Sequence, residues 1–386
     1  MTKAKAFAEI SVLRERNTLA LKEAWENGLR VVGTYCIYSP VELILAAGAV
    51  PVSLCGTSQI PIPAAEKILP RNLCPLIKSS YGFAVTDTCP YFYFADLILA
   101  ETTCDGKKKM YELLGDMKPL HVMQLPQVQD DTALGYWTDQ LRRLKDRLEE
   151  AFGVEITGEK LREAIRLMND ERRSLRALQD VCRNKPAPIS GLDMLTMLHN
   201  SGFSCDKREV IELVDRLTAE LRRMAKAGLS PYSPATPRIL LSGVPIGIGS
   251  DKVVRIIEDC GADVVCFESC TAYKKMDPVA SDGDPLTVLA ERYLRVPCSC
   301  MSPNPGRMEL VEQLVRDFRA DGVIDLTWQA CHTYNIESAS LKKHVRNTSG
   351  VPFLQIETDY SASDTEQLKV RIEAFIEMIR RKKSPD

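Results

Sequence analysis

Thirteen cysteines in a chain of 386 residues are the side chains here best able to do chemistry. Their placement is uneven. Cys36 closes the apolar run "VVGTY", Cys104 follows "DLILAETT", Cys270 follows "VVCFES", Cys331 follows "GVIDLTWQA", and Cys298 and Cys300 share the turn "VPCSCMSPN". Cys74, in "RNLCPLIKSS", leads into a helix whose N-terminal amides favour a thiolate. In open parallel sheets ligand sites form beyond the carboxyl ends of the strands, so a thiol just past an apolar run stands where chemistry is usually done. Thirty residues separate Cys74 from Cys104 and Cys270 from Cys300, and thirty-one separate Cys300 from Cys331. Each interval is close to one strand-plus-helix unit of ~30 residues. Each half of the chain can therefore bring one thiol from each of three successive units to one rim. Three converging thiolates are enough to hold an iron–sulfur cubane whose fourth iron is left for another ligand.

The remaining cysteines have a plainer reading. Cys266 lies inside the strand "DVVCFE", Cys182 and Cys205 lie in a helical region, and Cys260 and Cys89 sit near element ends, all consistent with packing. Cys55 in "VSLCGTS" also follows a strand and so competes with the ligand candidates. Zinc is the rival metal. Its structural sites usually show paired Cys-x-x-Cys motifs, which this chain lacks. The single Cys-x-Cys would send its two side chains opposite ways unless the backbone turns there.

Composition bounds the rest. Apolar residues make up 45% of the chain, charged residues 26%, and the formal net charge is −2, the profile of an ordinary soluble globular protein with no nucleic-acid or membrane surface. The N-terminal stretch "MTKAKAFAEISVLRERN" carries charges every few residues, and no segment approaches the ~18 to 20 apolar residues of a membrane helix. A cytoplasmic location is expected, where thiols stay reduced. An odd, large cysteine count there is explained most economically by metal or iron–sulfur ligation.

The elements that must position these thiols alternate. From 31 to 125, apolar runs such as "VVGTY" and "DLILAET" alternate with helix-like segments such as "SPVELILAAG" and "GKKKMYELLGDM", the pattern of a parallel sheet with crossover helices. Ser39-Pro40 suits an N-cap and first helical position, and Gly48 a helix stop. Residues 134 to 228 become rich in Arg, Leu, Glu and Lys with helical periodicity, their charge runs reading as solvated faces. The proline-bearing "AGLSPYSPATPR" reads as a linker, after which strand–helix alternation resumes. The expected fold class is α/β, with a first domain over residues 1–230, which includes the helical segment, and a second over 231–386.

The set "GTYCIYSPVELILAAGAVP", "CPLIKSS", "LILAETTCDGKKKMYELL", "FESC", "YLRVPCSC", "DGVIDLTWQACHTYN" and "PFLQIETDYS" resembles the family of 2-hydroxyacyl-CoA dehydratase D-components and their benzoyl-CoA reductase relatives, over nearly the whole chain. With cysteines in both halves, it is most similar to the double-cubane cluster branch. The resemblance implies two Rossmann-like, flavodoxin-like domains with the cluster between them. It implies a homodimer, and an ATP-hydrolysing iron–sulfur activator that delivers low-potential electrons. It also implies the ligands: Cys36, Cys74 and Cys104 in the first domain, and Cys270, one or both of Cys298 and Cys300, and Cys331 in the second. The cofactor is then an [8Fe-9S] double cubane or a [4Fe-4S] cluster.

Other residues carry expectations of their own. Tyr35, Tyr38, Trp328 and Tyr334 lie beside the ligands and can shield a cluster from water or simply pack. Glu42 is a candidate proton donor, against the plainer reading of an exposed helix-face glutamate, and His332 is a candidate hydrogen-bond or proton donor. "LLSGVPIGIGSD" lacks the full Gly-x-Gly-x-x-Gly spacing and is a weak phosphate site. The triple lysine 107 to 109 reads as a solvated face, with an acidic partner or CoA phosphate as the sharper alternative. Three functions compete: a reductase component acting on a small or CoA-linked substrate, a 2-hydroxyacyl-CoA dehydratase subunit working through a ketyl radical, and a non-catalytic metal or electron-carrier protein.

Overall fold

The computed structural model describes residues 5–383. Two helices, Lys5–Ser11 (α1) and Leu13–Glu26 (α2), precede the first sheet, whose strands are Val31–Thr34 (β1), Val50–Ser53 (β2), Leu97–Glu101 (β3) and Leu120–Met123 (β4). Between them run Val41–Ala46 (α3), Ile62–Ala65 (α4), Pro75–Val85 (α5), Pro90–Phe94 (α6) and Asp105–Gly115 (α7). All pairings are parallel, in the order β2-β1-β3-β4. β1 and β3 are buried along their whole length, so they read as unbroken apolar runs rather than as alternating ones. Gly48, at φ +75, ends α3 as expected. The start of α3 is shifted by one residue: Pro40 holds the cap position, and Ser39 instead turns its hydroxyl to the Glu101 carboxyl group.

The helical segment consists of Asp131–Phe152 (α8), Gly158–Asp180 (α9), Gly191–Ser201 (α10) and Lys207–Lys226 (α11). Each has a local start signal: the side chains of Asp130, Thr157, Ser190 and Asp206 accept hydrogen bonds from first-turn amides. In α8, Trp137, Leu141, Leu144 and Leu148 form the buried stripe.

The second sheet repeats the first. Its strands, Arg238–Gly243 (β5), Asp263–Glu268 (β6), Gly322–Trp328 (β7) and Phe353–Thr358 (β8), pair in parallel in the order β6-β5-β7-β8. The flanking helices are Lys252–Asp259 (α12), Pro285–Leu294 (α13), Pro305–Asp317 (α14), His332–Thr348 (α15) and Thr365–Lys383 (α16). The chain therefore holds two α/β units of one topology, as expected. In each, the strand order reverses between the first and third strands, the place where open sheets form clefts. The helical segment packs on both units: α9 against α3, α8 against α13, and α10 against β6. Segment 227–237 is anchored as well, since Ser230 donates to the Ala187 carbonyl and Tyr232 to Glu258.

Loops beyond the carboxyl ends of the two sheets meet directly. Tyr38 donates to the Val296 carbonyl at 2.9 Å, Thr57 to the Ile248 carbonyl at 2.8 Å, and Tyr360 to the Gly56 carbonyl at 3.1 Å. This contact explains the glycine-rich run after β5. A Cβ on Gly247 would stand 2.4 Å from the His199 ring, and one on Gly249 would stand 2.7 Å from the Thr57 carbonyl oxygen. The glycines admit the other unit, and Asp251 already accepts the Gly249 amide, so the run is not open as a phosphate cradle.

Gly243, at φ +115, ends β5, and a Cβ there would lie 2.0 Å from the Leu326 carbonyl oxygen. Gly243→Ala is expected to lower the urea midpoint of unfolding, by at least the ~1–2 kcal/mol of a left-handed non-glycine residue. An unchanged midpoint would contradict this close approach.

Candidate functional site

One cavity of about 680 Å³ lies where the loops of the two sheets meet. Cys36, Cys74, Cys104, Cys270, Cys298, Cys300 and Cys331 all line it, and so does Cys55. The duplicated topology accounts for the convergence. Cys55 and Cys270 each stand two residues past the second strand of their sheet, and Cys104 and Cys331 each stand three residues past the third strand, at the N-cap of the next helix. Cys74 caps α5, and Cys298 and Cys300 occupy the loop before α14, again at corresponding places. Cys36 has no thiol counterpart: Val244 and Pro245 follow β5. Cys266 and Cys182 are buried away from the cavity, Cys89 and Cys260 are partly buried outside it, and Cys205 lies in the bend before α11 rather than in a helix.

The thiols sense one another across the two units. Burial pushes Cys36 well up, and after Lys107, which opposes it, Glu101, Cys270 and Cys298 push it further. Burial raises Cys331 to about 12, with Cys74, Cys104 and Cys298 adding to it. Cys74 rises to about 11 and Cys270 to about 12, again chiefly through burial. Cys298 goes the other way, to about 6, because the Cys300 thiol donates to it and Lys274 lies near. In the metal-free chain this wall therefore holds mostly neutral thiols, whose protons a metal would displace. Many buried or partly buried thiols and nearby cations together suit an iron–sulfur centre. The thiols line a volume instead of meeting at a point: among the described residues no three His, Cys, Asp or Glu side chains are grouped around a single metal-ion position.

Buried charge supports the wall from behind. Lys274 pairs with Glu268 at 2.8 Å and donates to the Tyr334 hydroxyl at 2.8 Å. Arg307, fully buried, reaches Asp325 at 2.9 Å and Glu337 at 2.6 Å. Burial alone would raise Glu268, but Lys274 and Arg307 hold it below the usual carboxylate range. In the first unit Lys107 is buried and donates to the Tyr35 carbonyl at 2.9 Å. The solvated-face reading of the triple lysine thus holds for Lys108 and Lys109 and is corrected for Lys107. Its signal was present in the sequence, because Lys107 shares a helical face with Met110, Tyr111 and Leu114.

Tyr35, Trp328 and Tyr334 are buried and line the cavity, whereas Tyr38 sits behind it, its hydroxyl oxygen 3.7 Å from the Cys300 sulfur. His332 lines the cavity and is exposed. Glu42 is not an exposed helix-face residue: it is fully buried, paired with Arg172, and accepts from Tyr293 at 2.8 Å. Arg172 and Tyr293 line the cavity in its place. Glu171 and Lys207, 3.0 Å apart, line it as well. These charges of α9 and α11 depart from the solvated-face reading of the helical segment. Glu171 and Arg172 fall in the buried register of Ile165, Met168, Leu175 and Leu178, which is the sequence signal that marks them.

The family model described as 2-hydroxyglutaryl-CoA dehydratase, D-component, matches residues 36–379. Escherichia coli K12 dehydratase subunit YjiM, itself only provisionally described as such, is 48% identical over 97% of each chain. The beta subunit of (R)-phenyllactyl-CoA dehydratase from Clostridium sporogenes is 24% identical over 93% of this chain and 94% of its own. A benzoyl-CoA reductase subunit from Thauera aromatica is 24% identical over 75% of this chain and 71% of its own.

Burial raises Glu101 to about 8, against the opposing hydrogen bond from Ser39 and the charge of Lys107. The folded state thus keeps a proton that the unfolded chain, titrating near ~4.3, releases earlier. Stability contributed by this group is complete below that lower value and is lost as pH rises toward 8, at a ceiling of about 1.4 kcal/mol per pH unit. Metal-free Glu101→Gln is expected to lose less stability than wild type between pH 5 and pH 8 in urea titrations. Equal losses would contradict a buried, protonated Glu101.

Proposed function

The chain belongs to the 2-hydroxyglutaryl-CoA dehydratase D-component family, and on that premise we propose that it is an iron–sulfur reductase component. It receives low-potential electrons from an ATP-hydrolysing iron–sulfur activator and reduces a small or CoA-linked substrate. The observation that carries this reading is the lining of a single cavity by thiols of both α/β units. Cys36, Cys74, Cys104, Cys270, Cys298, Cys300 and Cys331 would hold the iron, as a double cubane of the [8Fe-9S] type. Such a centre supplies single electrons at low potential when bound.

The chain's own residues set the conditions. Lys107 and Lys274 bring positive charge to the thiolate wall, and Tyr35, Trp328 and Tyr334 keep water from it. His332, exposed at the cavity lining, is placed to exchange a proton with solvent. Glu42 serves by fixing Arg172 and Tyr293 at the cavity wall. The relatives are named as subunits, which supports work within a complex, either as a homodimer or with a second subunit.

A second reading is a 2-hydroxyacyl-CoA dehydratase subunit with one [4Fe-4S] cluster. It is favoured by the dehydratase description of the 48% identical relative.

Anaerobically prepared protein is expected to carry about eight irons per chain, against about four for the second reading. Cys36→Ser is expected to lose a large share of that iron while its far-ultraviolet circular dichroism stays unchanged. Stoichiometric zinc without iron after anaerobic reconstitution would defeat both readings. Electron paramagnetic resonance after mixing with activator and ATP should show a reduced centre, and its absence would remove the proposed electron donor.

A further inference from the structure

The cavity extends past the thiols into a lobe walled by the helical segment. Met168, Leu175, Leu198, Phe203 and Met276 give it apolar sides. Its charged lining is unevenly matched. Arg172 is neutralised by Glu42, and Lys207 by Glu171. Lys275 and Arg292 also line the lobe, and among the described residues neither has a carboxylate partner in ion-pair contact. Arg292 is buried and gives its Nε and one Nη2 hydrogen to the Asp277 and Lys275 carbonyls, its guanidinium stacking 4.8 Å from the Tyr293 ring centroid. The Lys275 side chain is partly buried, and its ammonium makes no hydrogen bond among the described residues. Burial, with Lys207 and Arg172 repelling it, disfavours the charge on that ammonium, and Glu171 and Cys270 only partly offset this.

Two cations held in a largely apolar enclosure without counter-ions are costly, and an anion brought by a ligand removes the cost. The apolar walls around them argue for an organic anion over a bare phosphate or sulfate. We propose that this lobe binds the carboxylate of a small organic acid with an apolar body, Lys275 receiving the carboxylate and Arg292 adding its charge. The reacting end of such a molecule would then point toward the thiol wall, since both belong to one cavity. This assignment rests on the proposed function only in taking this cavity as the reacting one.

The test uses butyrate and its uncharged isostere butyramide as probes, titrated calorimetrically into anaerobically prepared protein whose iron content is measured in parallel. Wild type is expected to bind butyrate at least tenfold more tightly than butyramide. Lys275→Met and Lys275→Gln should lose that preference with unchanged iron content and a melting temperature no lower than that of wild type, and Lys275→Arg should keep it. If wild type shows no preference, or if the neutral variants retain it, the assignment is overturned. It is equally overturned if those variants lose iron while butyrate affinity is unaltered, because Lys275 would then be the counter-ion of the thiolates. Wild type that holds no iron but still prefers butyrate would instead sink the redox reading and leave the carboxylate lobe standing.

Discussion

Everything at this site depends on two parallel sheets meeting at the loops beyond their carboxyl ends. One sheet of this kind gathers residues at a single rim, because every strand points its carboxyl end the same way. Two such units, joined by Tyr38 on Val296, Thr57 on Ile248 and Tyr360 on Gly56, turn two rims into the walls of a shared volume. The close approach needs residues without side chains, which is why Gly247 and Gly249 lie where they do. The helical segment clamps the pair, with α8 and α9 reaching α13 on one side and α9 reaching α3 on the other.

The energetics of the site follow from that enclosure. Taking thiols out of water favours their neutral form, so the wall is stable without metal and gives up protons when metal arrives. The same enclosure makes isolated charges expensive, and most buried charges here are paired: Lys274 and Arg307 with Glu268, Asp325 and Glu337, Arg172 with Glu42, and Lys207 with Glu171. Lys107 carries its charge among the thiols of the first unit, where only anionic neighbours make its burial favourable.

Much of this was legible from the residues. Strands buried on both faces leave continuous apolar runs, so β1, β3, β5 and β7 stood out, and the thiols just beyond them could be read as one rim in each half. The match between Cys55 and Cys270 was not legible, because it rests on counting from strand ends that sequence locates only to within a residue or two. Nor were the directions of Lys107, Glu42, Glu171 and Arg172. A charged residue is normally assigned to the solvent face, and only its register with the apolar stripe, at Met110 and Tyr111 or at Met168 and Leu175, says otherwise. The glycine-rich run misled in the opposite way, since its spacing serves the packing of one unit on another and not a ligand.

The central claim is that thiols of both α/β units hold one iron–sulfur centre in the shared cavity. Anomalous diffraction at the iron absorption edge, from crystals grown and kept without oxygen, tests it most directly. The account predicts iron peaks inside the cavity, bonded to thiols on both sides, among them Cys36 and Cys104 from one unit and Cys270 and Cys331 from the other. Iron bonded to the thiols of one unit alone, or a cavity holding no iron in protein that retains its fold, would contradict it.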